Sequence, residues 1–169
     1  MVLEHLISVG ATRVGYIAPD DYGVTRARYR GAKRAADAAG ISLEWVPIQA
    51  MDVAAGVEVG QRLVRSGLPF DGLATANDLV GIGLLRALRE AKVPVPGEVA
   101  VVGYDDLDRS QDLPIPLTSV RQPKEELGAL ALEMLISERS REPHRHSSRV
   151  LLPELAPRAS TAPLRVGRS

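Results

Sequence analysis

The chain has 169 residues, 45% of them apolar, with 21 basic and 21 acidic side chains that cancel to zero formal charge. That composition suits one ordinary domain with a core, excludes wholesale disorder, and offers no overall attraction to DNA or an anionic membrane. With no cysteine, a disulfide framework and a thiolate metal site are excluded.

Met1 leads directly into an amphipathic pattern, without the basic start and apolar run of a signal peptide. No apolar stretch is long enough to cross a bilayer, so the expectation is a soluble cytoplasmic protein. Leu3, Leu6 and Ile7 share one side of a short helix that Gly10 stops. Residues 13–18 then read as a strand, and Pro19, Asp20 and Asp21 as the turn at its carboxyl end. Over 25–39 a basic helix follows, with Ala32, Ala35, Ala36 and Ala39 as its small face. Its charges suit a solvated face. Arg28 differs, because a cation near a helix N-terminus gains nothing from the dipole and calls for another partner.

Residues 43–48 suit a second strand, and Asp52 an N-cap for a helix that ends at Gly67. The stretch 70–106 organises the rest: strand 70–75, helix 77–91, strand 98–103. Its strands are nearly all apolar, as strands covered on both faces are, and its helix is long enough for a parallel crossover. Thr75, Asn77 and Asp78 follow the first strand; Tyr104, Asp105 and Asp106 follow the second. Carboxyl ends of parallel strands are where open sheets bind ligands. Val80, Leu84 and Leu88 form the sheet-facing side of the helix; Leu79 and Ile82 point away and suit a neighbouring loop or another subunit. The chain beyond 106 reads as loop to 118, then as a helix at 123–138 with apolar residues on two sides. A charged loop with His144 and His146, a strand at 150–153 and a frayed tail complete the chain.

No phosphate loop, dinucleotide fingerprint, zinc-helix motif or nucleophile elbow occurs, so no cofactor, metal site or catalytic set is expected. What remains suits hydroxyl recognition. A carboxylate accepts from adjacent hydroxyls, a guanidinium donates in a fixed fork, and an amide does both. Arg28, Asn77 and Asp105 each lie just past a strand end and together make a polyol clamp. Each also suits a capping or loop-bracing role.

These residues carry a resemblance. HLISVGATRVGYIAP, RYRGAKRAADAAG, FDGLATANDLVGIGLLRALREAKVPVPGEVAVVGYDD, PIPLTSVRQPKEELGALALEML and RVLLPELAPRAST together resemble the effector-sensing domain of the lac repressor and gal repressor family of bacterial transcription regulators. That domain is similar in turn to periplasmic sugar-binding proteins. The resemblance implies an α/β fold of the periplasmic-binding-protein type, a three-layer parallel sheet, with one nearly complete lobe and remnants of another. The implied division is a first-lobe helix at 1–12, the second effector lobe at 13–118, a crossover and first-lobe helix at 119–150, and a closing strand and tail at 151–169. The helices at 2–9 and 123–138 would then show apolar faces that a full domain buries.

Carried over by position, Arg28, Asn77 and Asp105 match effector-contacting residues, while Asp20, Asp78 and Asp106 fall in supporting positions. Leu79 and Ile82 fall at a family dimer interface. An aromatic that stacks on the ligand is expected near 48–54, where this chain has none; Trp45 and Met51 are the nearest substitutes. The implied function is the sugar-sensing portion of a transcriptional regulator, with no catalysis. Its partners are a sugar or polyol effector, a second subunit in the intact protein, and operator DNA through an N-terminal domain this chain lacks. Direct DNA binding by this chain and a membrane partner are not expected. A transporter's solute-binding protein and a small carbohydrate enzyme are the alternatives.

Overall fold

The apolar runs form a sheet of six strands, seen in a computed structural model that describes residues 1–20, 23–138 and 148–161. The strands are β1 (Arg13–Ala18), β2 (Ser42–Pro47), β3 (Gly72–Thr75), β4 (Ala100–Tyr104), β5 (Thr118–Arg121) and β6 (Glu154–Ala156). They lie in the order β2-β1-β3-β4-β5-β6. The first five run parallel, and β6 pairs antiparallel with β5. Helices α1 (Val2–Ser8) and α2 (Gly23–Ala39) cover one face; α3 (Val53–Arg65) and α4 (Asp78–Glu90) cover the other. Helix α5 (Lys124–Glu138) follows β5. The fold is the expected α/β three-layer arrangement.

Alternation along the strands sorts the core into two halves. In β1, Val14, Tyr16 and Ala18 meet α1 and α2, while Ile17 faces α3 and α4. Asp52 caps α3 by accepting from the Ala55 N–H at 2.8 Å. Helices α3 and α4 approach at backbone distance. A Cβ on Gly56 would strike the Val80 carbonyl, and one on Gly83 the Val53 carbonyl. Gly83 is therefore a packing residue inside a helix.

Several boundaries differ from expectation. Strand β5 starts where the expected loop ends and takes up the start of the crossover; it is unexpected because Thr118 and Ser119 carry no apolar signal although both are fully buried. Their hydroxyls are satisfied inside: Thr118 Oγ1 lies 2.8 Å from Thr161 Oγ1, and Ser119 Oγ donates to Asp78 Oδ1 at 2.5 Å. The last strand is Glu154–Ala156 rather than 150–153, where Val150 and Leu152 stand exposed. Pairing with β5 decides this, and Pro153 has no N–H to give a ladder. The tail is anchored rather than frayed at Ser160 and Thr161. The Ser160 carbonyl accepts from the Val101 N–H at 2.9 Å, and its Oγ donates to the Val101 carbonyl at 2.6 Å.

The apolar side of α1, expected to be uncovered, is buried. Leu3 and Leu6 close the core against Val14, Tyr16, Ala100 and Val102 of this sheet. Helix α5 does expose its apolar residues, and none of its side chains is buried. Asp21, His144, His146 and the residues from 162 onward lie outside the described residues.

Candidate functional site

Strand order reverses between β1 and β3: the chain moves outward to β2, then returns past β1 to β3 and β4. Helix α2 leaves β1 toward one face and α4 leaves β3 toward the other, so a crevice opens at their carboxyl ends. Arg28 reaches into this region from the early part of α2. Its Nη1 donates to the Ala76 carbonyl, past β3, at 3.2 Å. Its guanidinium carbon sits 3.5 Å from the centre of the Tyr104 ring, at the end of β4. One side chain thus spans two strand ends, and the compensation its position called for is a carbonyl dipole and an aromatic face.

Asp105 stands beside that pair. Its backbone φ is 106°, and that of Asp106 is 50°, both in a region that side chains other than glycine rarely occupy. Strain of this kind persists where surrounding structure enforces it, as at binding sites. The surroundings are explicit. Gln122 Nε2 donates to Asp105 Oδ1 at 2.8 Å, Lys124 Nζ donates to the Asp105 carbonyl at 2.6 Å, and the Asp106 N–H donates to Ser119 Oγ at 3.1 Å. Burial raises the Asp105 carboxyl above the ordinary aspartate value; Lys124, Arg28 and the Gln122 bond pull the other way and do not offset it.

Asp106 is differently placed. Its carboxylate is buried between Arg121 Nε at 2.6 Å and Arg158 Nη2 at 2.5 Å. Burial opposes its charge, but the two guanidinium bonds prevail and hold it below the usual range. The neighbouring carboxylates are thus pushed in opposite directions, Asp105 above the ordinary aspartate value by burial and Asp106 below it by its two guanidinium partners. Asp78 is fully buried and accepts from the Leu107 N–H at 2.8 Å, Ser110 Oγ at 2.6 Å and Ser119 Oγ. It ties α4 to the loop after β4 and to β5. Asp20 is exposed, with its carbonyl accepting from Arg26 Nε at 2.8 Å.

Asn77 caps α4: its Oδ1 accepts from the Val80 N–H at 3.0 Å and its Nδ2 donates to the Met51 carbonyl at 3.0 Å. Among the described residues, one lone pair and one N–H of its amide remain unengaged. Trp45 is taken up in a cluster with Tyr16 and Tyr29, at centroid distances of 5.4 and 5.1 Å. Leu79 and Ile82 are half-buried. Ile82 borders an apolar hollow with Leu85, Leu113 and Ile115. Among the described residues no cluster of histidine, aspartate and glutamate suits a metal. His5 Nε2 lies 2.8 Å from Thr161 Oγ1.

Gln122, Lys124 and Arg158 escaped the sequence reading; Tyr104 is named there as a polar strand-end residue, without its contact to Arg28. Gln122 and Lys124 follow the carboxyl end of β5, so the strand-end rule points to them once that strand is recognised. Tyr104 and Arg28 are far apart in sequence, and only the sheet brings them together.

A family model described as a periplasmic binding protein-like domain matches residues 3–161. The ribose operon repressor of Escherichia coli strain K12 is 32% identical over 139 residues, covering 80% of this chain and 42% of the repressor. The HTH-type transcriptional regulator MalR of Streptomyces coelicolor is 32% identical over 167 residues, covering 96% of this chain and 48% of the regulator. The chain thus spans about half the length of the curated relatives it matches. Among solved structures, a LacI family transcriptional regulator from Enterococcus faecium with bound ribose superposes with a TM-score of 0.87 at 28% identity, covering 96% of this chain and 61% of that one. The chain therefore belongs to the periplasmic binding protein-like domain family, and its relatives are LacI-type transcriptional repressors.

Proposed function

We propose that this chain is the effector-sensing portion of a sugar-responsive LacI-type regulator, with Arg28, Asn77 and Asp105 holding a neutral sugar or polyol. The observation that carries the reading is the placement of Arg28 across the ends of β3 and β4, with the Asp105 carboxylate beside it. A guanidinium and a carboxylate on neighbouring strand ends supply donors and acceptors for adjacent hydroxyls. Ribose, bound in the Enterococcus faecium neighbour, is the first candidate. Asp78 and Asp106 serve as braces, and the chain binds without bond breaking.

The regulator reading is favoured over a transporter component because the relatives in hand are regulators. It makes the intact protein cytoplasmic and dimeric through the α4 side that carries Leu79 and Ile82, with DNA read by a region outside this chain. The exposed apolar residues of α5 fit a helix that the other half of a two-lobed effector domain covers.

The test is calorimetry with a panel of monosaccharides, on this chain and on the gene's full-length product. Ribose or a close relative should bind the full-length protein. Arg28→Ala or Asp105→Asn should each weaken that binding by about tenfold or more, the loss of one charge-assisted hydrogen bond. Unchanged affinity in both variants would show the clamp misassigned.

A further inference from the structure

A cavity of about 360 Å³ runs from the strand ends inward, between α1 and α2 and over the sheet. Its walls are mostly carbon: Val2 and Leu3 of α1, Ala32 and Ala35 of α2, and Val14 and Leu43 of the strands. Arg28 and Tyr104 line it as well, so it adjoins the candidate sugar clamp. Its size falls at the lower end of small-molecule sites, enough for a single ring with a short substituent. Small residues of α2 leave this space: where larger side chains would reach the sheet, the helix presents alanine.

One polar group stands unanswered there. Tyr16 lines the cavity, is only 6% exposed, and its hydroxyl has no hydrogen-bond partner among the described residues. Buried tyrosine hydroxyls ordinarily find one. Burial foremost, against a smaller pull from Arg28, pushes its pKa up to about 12, so at neutral pH it is a donor awaiting an acceptor.

We propose that the effector is a sugar or polyol bearing an apolar, ring-sized substituent, which enters this cavity and accepts a hydrogen bond from the Tyr16 hydroxyl. This rests on the sugar-sensing reading. The sugar stays at Arg28 and Asp105, and its substituent passes the Arg28–Tyr104 pair. An apolar group with one acceptor matches walls that are mostly carbon, where Glu4 is paired with the Met1 amine, Thr75 donates to the Asn77 carbonyl and Arg28 serves the clamp; a second sugar ring would leave most of its hydroxyls unpaired against alanine, valine and leucine.

Calorimetry on the full-length protein with four probes tests it. Ribose reads the clamp alone and acetophenone the cavity alone; phenyl and 4-acetylphenyl ribofuranosides read both, without and with an acceptor. The acetylphenyl riboside should bind at least about tenfold more tightly than ribose, and several-fold more tightly than the phenyl riboside. Ala35→Leu, or Ala32→Leu should the first fail to fold, should erase the gain and leave ribose affinity unchanged. Tyr16→Phe should erase only the advantage of acetylphenyl over phenyl. If ribose binds and neither aryl riboside binds more tightly, or if the filled cavity leaves the gain intact, the proposal is overturned and the clamp stands. If acetophenone binds wild type and not Ala35→Leu while no riboside binds, the sugar reading fails and the cavity remains a site for a neutral arene. Binding of no probe overturns both.

Discussion

Arg28 is held at two points, by the Ala76 carbonyl and by the Tyr104 ring, before any ligand arrives. Such preorganisation spares the entropy of ordering a long side chain on binding. Replacing Tyr104 by leucine should weaken sugar binding by several-fold, since a cation over an aromatic face is worth roughly 0.5–2 kcal/mol. Tyr104→Phe, which keeps the face, should bind like the parent in the same titration. Asp105 supplies a pH signature. Its carboxyl titrates above the ordinary aspartate value because it is buried, and hydroxyl donors favour its ionised form. Affinity should thus be full above that raised pKa and decline as pH falls through it. Asp105→Asn should flatten the profile. The sign for stability is opposite: a raised acid pKa means the folded state holds its proton more tightly than the unfolded chain, so ionisation costs stability as pH rises. Asp105→Asn should therefore be at least as stable as the parent at neutral pH while losing the ligand, a trade measured by thermal melts beside the titration.

Helices α3 and α4 illustrate how element packing serves the site. Their glycines allow backbone approach, and that approach sets where α4 begins, hence where Asn77 and Asp78 stand. Gly83→Ala would drive a methyl into the Val53 carbonyl and force the helices apart. Overpacking of this kind costs about 1–3 kcal/mol. A lowered urea midpoint with an unchanged slope should report it. Gly103 plays the matching part in β4, since a Cβ there would collide with Asp78 Oδ1. The carboxylate that joins α4, the loop after β4 and β5 thus depends on a strand residue with no side chain.

At the scale of the whole molecule the body and its last helix contrast. The sheet is covered on both faces, whereas α5 leaves Leu127, Leu132, Leu135 and Ile136 more than half exposed. Helices of this length derive most of their stability from a packed face. The α5 amides should exchange with solvent far faster than those of β1, β3 and β4 when this chain is studied alone. In the full-length product they should become protected if the other half of the effector domain covers them. Equal exchange in both proteins would reject that coverage.

Local pattern determined much by itself. Alternating β and α signals dictated the parallel sheet, because strands covered on both faces must be apolar and their crossovers must be helical. Polar residues just past those strands made Arg28, Asn77 and Asp105 candidates for a site. Tertiary structure alone decided the rest. Strand β5 hides in the sequence because its buried hydroxyls bond to Asp78 and to the tail, groups far away along the chain. Helix α1 looked partnerless because the strands it covers come after it. The stacking of Arg28 on Tyr104, the division of labour between Asp105 and its arginine-locked neighbour, and the cavity above Tyr16 are relations between side chains on different strands and helices. A periodic pattern reports which face a residue occupies; it carries no information on which distant residue waits there.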